Sequence, residues 1–373
     1  VDGAGSEWNL SSNLAVGNSG DATLAISDGG AVSNVDGLVG YFAAGSSAVT
    51  VDGEDSAWSN SGELTIGVWG GATLDITGGG AVSNTIGYIG RHATGDGEVE
   101  VTGTDSTWTN SGSLFVGDAG AGSLIIGAGG TVSNTSATVG NQAGSDGDVT
   151  VDGPGSAWTN TGDLVIGATG SGTLDIFGGG AGSTASGFIG DLAAGTGAVT
   201  VDGADSTWTN TGGNGLNVGW SGSATLDISN GGAVSSLAGH VGRQTGSSGT
   251  VTVSGADSIW SIVGALLVGN SGSGTLTLSD SGTAEAASVT IASNASSTGT
   301  LNIGAASGDA AAAAGTLDAA SIAFGAGDGT LVFNHTDNGY IFGTAISGAG
   351  EVLVENGETV FTGAATHTGG TTI

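Results

Sequence analysis

A tryptophan returns at Trp8, Trp58, Trp108, Trp158 and Trp208 at a constant interval, and once more at Trp260. The segments that carry it are near copies: VDGAGSEW from residue 1, VDGEDSAW from 51, VTGTDSTW from 101, VDGPGSAW from 151, VDGADSTW from 201 and VSGADSIW from 253. The last is displaced by two extra residues within GGNGLNVG (212–219). A fixed period of about fifty residues marks stacked supersecondary units, each too small to bury its own apolar face.

Each unit divides again. LTIGVWGGATLDITGGGAVSN (64–84) and YIGRHATGDGEVEVTGTDSTWTN (88–110) share one outline: an apolar-Ile-Gly step, a glycine-rich turn, an alternating strand, a second turn and a polar strand ending in asparagine. The underlying period is therefore roughly 25 residues. Within it apolar residues alternate with period two, as in Leu74-Asp75-Ile76 and Val99-Glu100-Val101, which marks strands with one buried face. Helical periodicity is absent, and the alanine run DAAAAAG (309–315) is too short and too glycine-bounded to exceed a loop or a single turn. Leucine-rich repeats of similar period need a leucine/asparagine pattern and a helical side, which this chain lacks. A parallel β-helix fits, with rungs about 4.8 Å apart and roughly fifteen of them making a rod on the order of 70 Å long.

Composition supports this reading. Of 373 residues 79 are glycine, one is proline and none is cysteine, which suits many short strands joined by tight turns and leaves no disulfide framework. Thirty-four acidic residues face two arginines, Arg91 and Arg243, and no lysine, so nucleic acid and anionic membrane surfaces are poor partners. No stretch has the character of a signal peptide, and no apolar run is long enough to span a bilayer as a helix. The chain is expected either to stay inside the cell or to be a fragment without its targeting ends.

Stacking turns the repeat into columns whose side can be read. The residue before each tryptophan is Glu7, Ala57, Thr107, Ala157, Thr207 or Ile259, a mixture that suits solvent, so Ser106, Trp108 and Asn110 should point inward. Asparagine falls once per rung at Asn34, Asn60, Asn84, Asn110, Asn134, Asn160 and Asn210, with Thr184 and Ser236 substituting, and is expected to form an amide ladder along the axis. Trp69 and Trp220 break the pattern. They lie in a glycine-rich turn, in adjacent columns, do not recur, and are the candidates for ligand contact, for example with sugar rings. The outward columns of the main strand hold Thr23, Thr73, Ser123, Thr173, Thr225 and Thr275 beside Ala25, Asp75, Ile125, Asp175, Asp227 and Thr277. An ice-binding threonine array is one reading of that face, and the interspersed carboxylates make it a poor match. Asp75, Glu98 and Glu100 crowd one patch without a lysine to neutralise them, which makes calcium the cofactor to test and a melting temperature indifferent to calcium the result against it.

Catalysis finds no distinct constellation. His92, His240, His335 and His367 have no metal-ligand spacing, and no nucleophile elbow, P-loop or dinucleotide fingerprint stands in a strand-turn-helix context. A polysaccharide-acting β-helix enzyme, and a calcium- or glycan-binding module, remain as alternatives. Near-identical units favour a rod or a multivalent surface.

The unit NSGELTIGVWGGATLDITGGGAVSN (60–84) resembles the glycine-rich type V secretion/PEP-CTERM-associated repeat of bacterial autotransporter passengers, over about residues 1–282 in six matches. SGAGEVLVENGETVFTGAATHTGGTTI (347–373) resembles the autotransporter-associated β-strand repeat. The resemblance implies a right-handed parallel β-helix of six fifty-residue repeats (1–282) followed by more degenerate rungs (283–373). It also implies an extracellular or cell-surface adhesive or stalk-like passenger, not an enzyme, tethered to the outer membrane through a carboxy-terminal barrel or released. Its partners would be a host or cell-surface glycan or protein, or further copies stacked end to end. This segment would not itself insert in a membrane.

Overall fold

The computed structural model describes residues 1–42 and 45–373, which form strands and turns with no helix among them. Accordingly no helix among the described residues is long and apolar enough to cross a membrane. The chain forms two compact units, residues 1–184 with 194–196 and residues 185–193 with 197–373.

Each unit is a parallel β-helix. In the first, one face is a ladder of long strands, Ala22–Ser27, Ser46–Asp52, Gly71–Thr77, Asp96–Thr102, Ala121–Gly127, Asp146–Asp152 and Ser171–Phe177, paired in parallel one turn apart. In the second, Ser223–Ser229, Ser248–Ser254, Ser273–Ser279, Thr298–Gly304, Asp328–Asn334 and Glu351–Asn356 do the same. Two shorter strands complete each turn, such as Ala57–Asn60 and Leu64–Ile66. Period-two patterning places the side chains: along Asp96–Thr102, Val99 and Val101 are buried while Glu98 is exposed.

The interior explains why the sequence repeats every second rung. Down one column of the first unit the order is Trp8, Val32, Trp58, Val82, Trp108, Val132, Trp158. Down the neighbouring column it is Leu14, Gly37, Leu64, Gly87, Leu114, Ala137, Leu164. Rungs about 4.8 Å apart cannot each hold an indole, so a Trp-plus-Leu rung alternates with a Val-plus-Gly or Val-plus-Ala rung. A Cβ placed on Gly37 would stand 2.8 Å from Trp58 Cζ2 and 2.5 Å from Asn60 Oδ1, which shows that the indole occupies the space the glycine leaves. The fifty-residue repeat is thus a volume-matched pair of rungs.

The inward orientation of Ser106, Trp108 and Asn110 holds, with all three buried, as are Trp58, Trp158, Trp208 and Trp260. Trp8 is 42% exposed. The asparagines, however, do not form the continuous ladder expected from the sequence. They form pairs: Asn34 Nδ2 donates to Asn60 Oδ1 at 2.6 Å and Asn84 Nδ2 to Asn110 Oδ1 at 2.6 Å, with Asn134 and Asn160 bonded likewise. The first member of each pair accepts the indole proton of the next rung, Trp58 Nε1 to Asn34 Oδ1 at 2.7 Å and Trp108 Nε1 to Asn84 Oδ1 at 2.7 Å. Of the second members, Asn60 Nδ2 reaches Ser83 O at 3.4 Å, while Asn110 Nδ2 and Asn160 Nδ2 find no partner among the described residues. A buried indole N–H needs an acceptor, and it interrupts the ladder at every second step.

The turn before each tryptophan is tied by its serine. Ser56 Oγ donates to Asp52 O at 2.6 Å and accepts from Gly29 N at 3.1 Å, bridging two rungs. The residue preceding that serine has positive φ, 65° at Asp55 and 66° at Asp105, a conformation aspartate tolerates better than most residues. In the second unit the column continues from Trp260 to Ala284 and Leu317, and the alanine run at 309–315 is a loop with isolated bridges.

Candidate functional site

The outward side of the short strands collects the groups that the interior does not use. In the first unit Thr65, Tyr88 and Phe115 stand in register at the centres of three successive strands, and the rings of Tyr88 and Phe115 stack with centroids 5.1 Å apart. Each strand ends in a glycine of positive φ, Gly67 at 75° and Gly90 at 67°, which turns the chain sharply and presents the next two side chains beside the strand centres. Those pairs are Val68-Trp69 and Arg91-His92. The backbone of one turn bonds to the next, with Arg91 N donating to Gly67 O and His92 N to Val68 O, so the two turns are held in register.

Trp69 and His92 consequently stack, with centroids 3.8 Å apart and planes 18° from parallel. Trp69 keeps 41% of its surface in solvent. The Arg91 guanidinium lies 4.2 Å above the Tyr88 ring and donates from Nη1 to Glu63 Oε2 at 2.7 Å and Thr65 Oγ1 at 3.2 Å. That ion pair is partly exposed and contributes at most about 1 kcal/mol to stability, so its main effect is to fix geometry. Burial, with Glu63 next, pushes the Tyr88 phenol up; Arg91 opposes this and Asp118 adds to it, so the ring stays neutral.

In the second unit Trp220 occupies the turn position that Arg91 occupies in the first. Its ring is half-buried, covered by Arg243 with Cζ 4.1 Å from the centroid and abutted edge-on by Phe188 at 5.1 Å. Arg243 Nη1 donates to Asn217 Oδ1 at 2.6 Å, and burial lowers the arginine's own proton affinity. His240, beside Asn217 in register, is lowered to about 4 by burial and then by Arg243. Trp220 is therefore engaged by its own neighbours, whereas Trp69 presents surface outward. Sequence reasoning paired the two tryptophans and missed His92, Tyr88 and Phe115, because the signal that joins them is the register of two neighbouring columns rather than a motif.

The three carboxylates Asp75, Glu98 and Glu100 lie on the long-strand face. Asp75 and Glu100 are register partners, while Glu98 pairs with Thr73 and Ser123, two residues along the strand. Burial pushes the Asp75 carboxyl up. Among the described residues no group of three or more His, Cys, Asp or Glu side chains converges as a metal site.

No family model matches the chain. A 79-residue stretch is 44% identical to the uncharacterized lipoprotein YdeK of Escherichia coli strain K12, covering 19% of this chain and 6% of that protein, so the chain spans only a small part of its curated relative. The crystal structure of the TibC-catalyzed hyper-glycosylated TibA55-350 fragment aligns over 97% of both chains, at 15% identity and a TM-score of 0.46.

Proposed function

We propose that this chain is an adhesive passenger segment acting outside a bacterial cell, in the manner of autotransporter passengers, and that Trp69 is its contact residue for a carbohydrate partner. The observation that carries the reading is the Trp69–His92 stack: a large aromatic surface left in solvent and held rigid by its neighbours. An aromatic face of this kind packs against the apolar face of a sugar ring, and the Glu63 carboxylate and Arg91 guanidinium alongside supply partners for its hydroxyls. The resemblance of residues 60–84 to passenger repeats supports an extracellular location, and so does the local match to a protein named a lipoprotein. Attachment to the outer membrane would be supplied by a barrel elsewhere in the full protein. Repetition of weak contacts over many copies on a cell surface would add by avidity, which suits adhesion rather than turnover.

The test is a glycan array probed with the wild-type chain and with Trp69→Ala and Trp220→Ala. Trp69→Ala is expected to lose about tenfold in affinity for any bound glycan, corresponding to about 1.4 kcal/mol of stacking. Trp220→Ala is expected to keep its glycan signal while melting earlier. Equal binding by wild type and Trp69→Ala, or no binding by the wild type, would refute the assignment.

A further inference from the structure

Four asparagines in this chain are followed directly by glycine: Asn214–Gly215, Asn230–Gly231, Asn338–Gly339 and Asn356–Gly357. At such a step the glycine nitrogen can attack the asparagine side-chain carbonyl carbon, because no Cβ on the second residue hinders the approach. The attack needs a backbone N–H that is not committed to an acceptor and a side-chain amide free to swing toward it. The fold removes at least one of these at three of the four steps. At Asn230 it removes both, with Nδ2 donating to Asp202 Oδ1 at 2.6 Å and Gly231 N to Ser258 Oγ at 2.9 Å. At Asn214 the nucleophile is tied, since Gly215 is buried and its N donates to Gly212 O at 3.0 Å. At Asn356 the side chain is tied, Nδ2 donating to Asn334 Oδ1 at 2.8 Å, and Gly357 is packed against His335, whose Nδ1 would stand 2.3 Å from a Cβ on that glycine.

Asn338 and Gly339 carry neither restraint. Both are exposed, a Cβ on Gly339 would meet nothing within 4 Å, and neither the Asn338 side chain nor Gly339 N has a hydrogen-bond partner among the described residues. Their flanks are anchored: Asp337 O accepts from Glu358 N at 3.0 Å, Tyr340 N donates to Glu358 O at 2.8 Å, and the Tyr340 phenol donates to Gly315 O at 2.8 Å. We infer that Asn338 is a site of spontaneous covalent modification, passing through a cyclic imide to aspartate and isoaspartate with solvent water as co-reactant. Gly339 N bonds to Asn338 Cγ as the Cγ–Nδ2 bond breaks, and ammonia leaves with the proton that the glycine nitrogen gives up. Water then opens the imide at either carbonyl. Cleavage at Cγ yields aspartate; cleavage at the former backbone carbonyl yields isoaspartate, in which the chain runs through Cγ and is longer by one methylene. Both products place a new carboxylate beside Asp337. The longer one displaces Tyr340, which directly follows the tip and opens the parallel pairing of Tyr340–Phe342 with Thr359–Phe361.

The experiment incubates the full chain at mildly alkaline pH and physiological temperature, folded and, in parallel, unfolded in guanidinium chloride. Peptide mapping by mass spectrometry follows the conversion of each amide to acid, and methylation by an isoaspartyl methyltransferase with labelled S-adenosylmethionine reads isoaspartate. In the folded chain the peptide holding Asn338 is expected to convert an order of magnitude faster than those holding Asn214, Asn230 and Asn356. In the unfolded chain all four should convert at comparable rates, which separates the effect of the fold from that of the dipeptide. Asn338→Gln, an exposed change, should melt as wild type and lose most of the methyl label formed in the folded state. Conversion of any of the other three ahead of Asn338 in the folded chain would overturn the proposal. So would an intact Asn338 after a period in which the unfolded chain has converted, or a methyl label unchanged in Asn338→Gln.

Discussion

Replacing Asn84 with alanine removes one side chain and strands two others. Asn84 Oδ1 accepts the Trp108 indole proton at 2.7 Å, and its Nδ2 donates to Asn110 Oδ1 at 2.6 Å, all three side chains being buried. Each orphaned buried group costs about 1–3 kcal/mol, so Asn84→Ala should destabilise by roughly 2–5 kcal/mol once the small cavity is included. Trp108→Phe removes the donor instead, orphaning Asn84 Oδ1, and costs about 1–3 kcal/mol for the unmet acceptor beyond any packing loss. In the double variant the indole N–H and its acceptor are gone together, so the two losses overlap and the coupling energy should reach about 1–2 kcal/mol. Stacked rungs need not unfold in one step, so urea titration by circular dichroism should be joined by hydrogen exchange at residues 81–89 and 107–116. If the single-variant losses sum to the double-variant loss within about 0.5 kcal/mol, Trp108 and Asn84 are not coupled and the paired-rung account of the interior is wrong.

Gly122→Ala should lower stability by about 1–3 kcal/mol, reversing the usual gain from removing a glycine, because the new Cβ would lie 2.3 Å from Gly117 N and 2.7 Å from Ile89 O. Gly20→Ala, where a Cβ meets nothing within 4 Å, is the control and should be neutral or slightly stabilising in the same thermal melts. His240 is lowered to about 4 in the folded chain against an ordinary value of 6.5, so the unfolded chain takes up its proton first. Stability should therefore be fully present above pH 6.5 and fall toward pH 4, and the difference in melting temperature between wild type and His240→Gln should shrink over that window; a pH-independent difference would refute the burial argument.

The strands and their inward faces were legible because burial acts directly on residue choice. Trp108, Ser106 and Val99 each point where period-two alternation puts them. What the sequence alone left open was the pairing of columns. The alternation of tryptophan with valine and that of leucine with glycine are both visible in the string, but their complementarity depends on Gly37 standing beneath Trp58, a fact of lateral packing between two strands of one turn. The asparagine ladder failed for a related reason. Counting one amide per rung ignores the indole N–H that competes for the same acceptor, as Trp58 does for Asn34. Trp69 and Trp220 looked alike as isolated tryptophans in glycine-rich turns, and their fates diverge because Trp220 is covered by Arg243 and Phe188 while Trp69 stacks on the smaller His92 ring and keeps 41% of its surface in solvent.

The acidity of the chain has two sources with different consequences. Asp28, Asp55, Asp105, Asp205, Asp257 and Asp280 all adopt positive φ, so part of the charge sits at turn positions that tolerate aspartate, where other rungs hold Gly5, Gly155, Ala128 and Asn230. The strand carboxylates, Asp75, Glu98, Glu100 and Asp148 among them, stand in outward columns where no packing requires them. Inward columns are held nearly constant by volume: a rung that accepts tryptophan must face one that offers glycine, alanine or another small residue. Outward columns carry no such constraint, and they are where the units differ, with Tyr88, Phe115 and Trp69 on one face of the first and an uncharged threonine net on another face of the second. A scaffold that fixes its interior by paired rungs leaves each outward column free to be specified separately without disturbing the core.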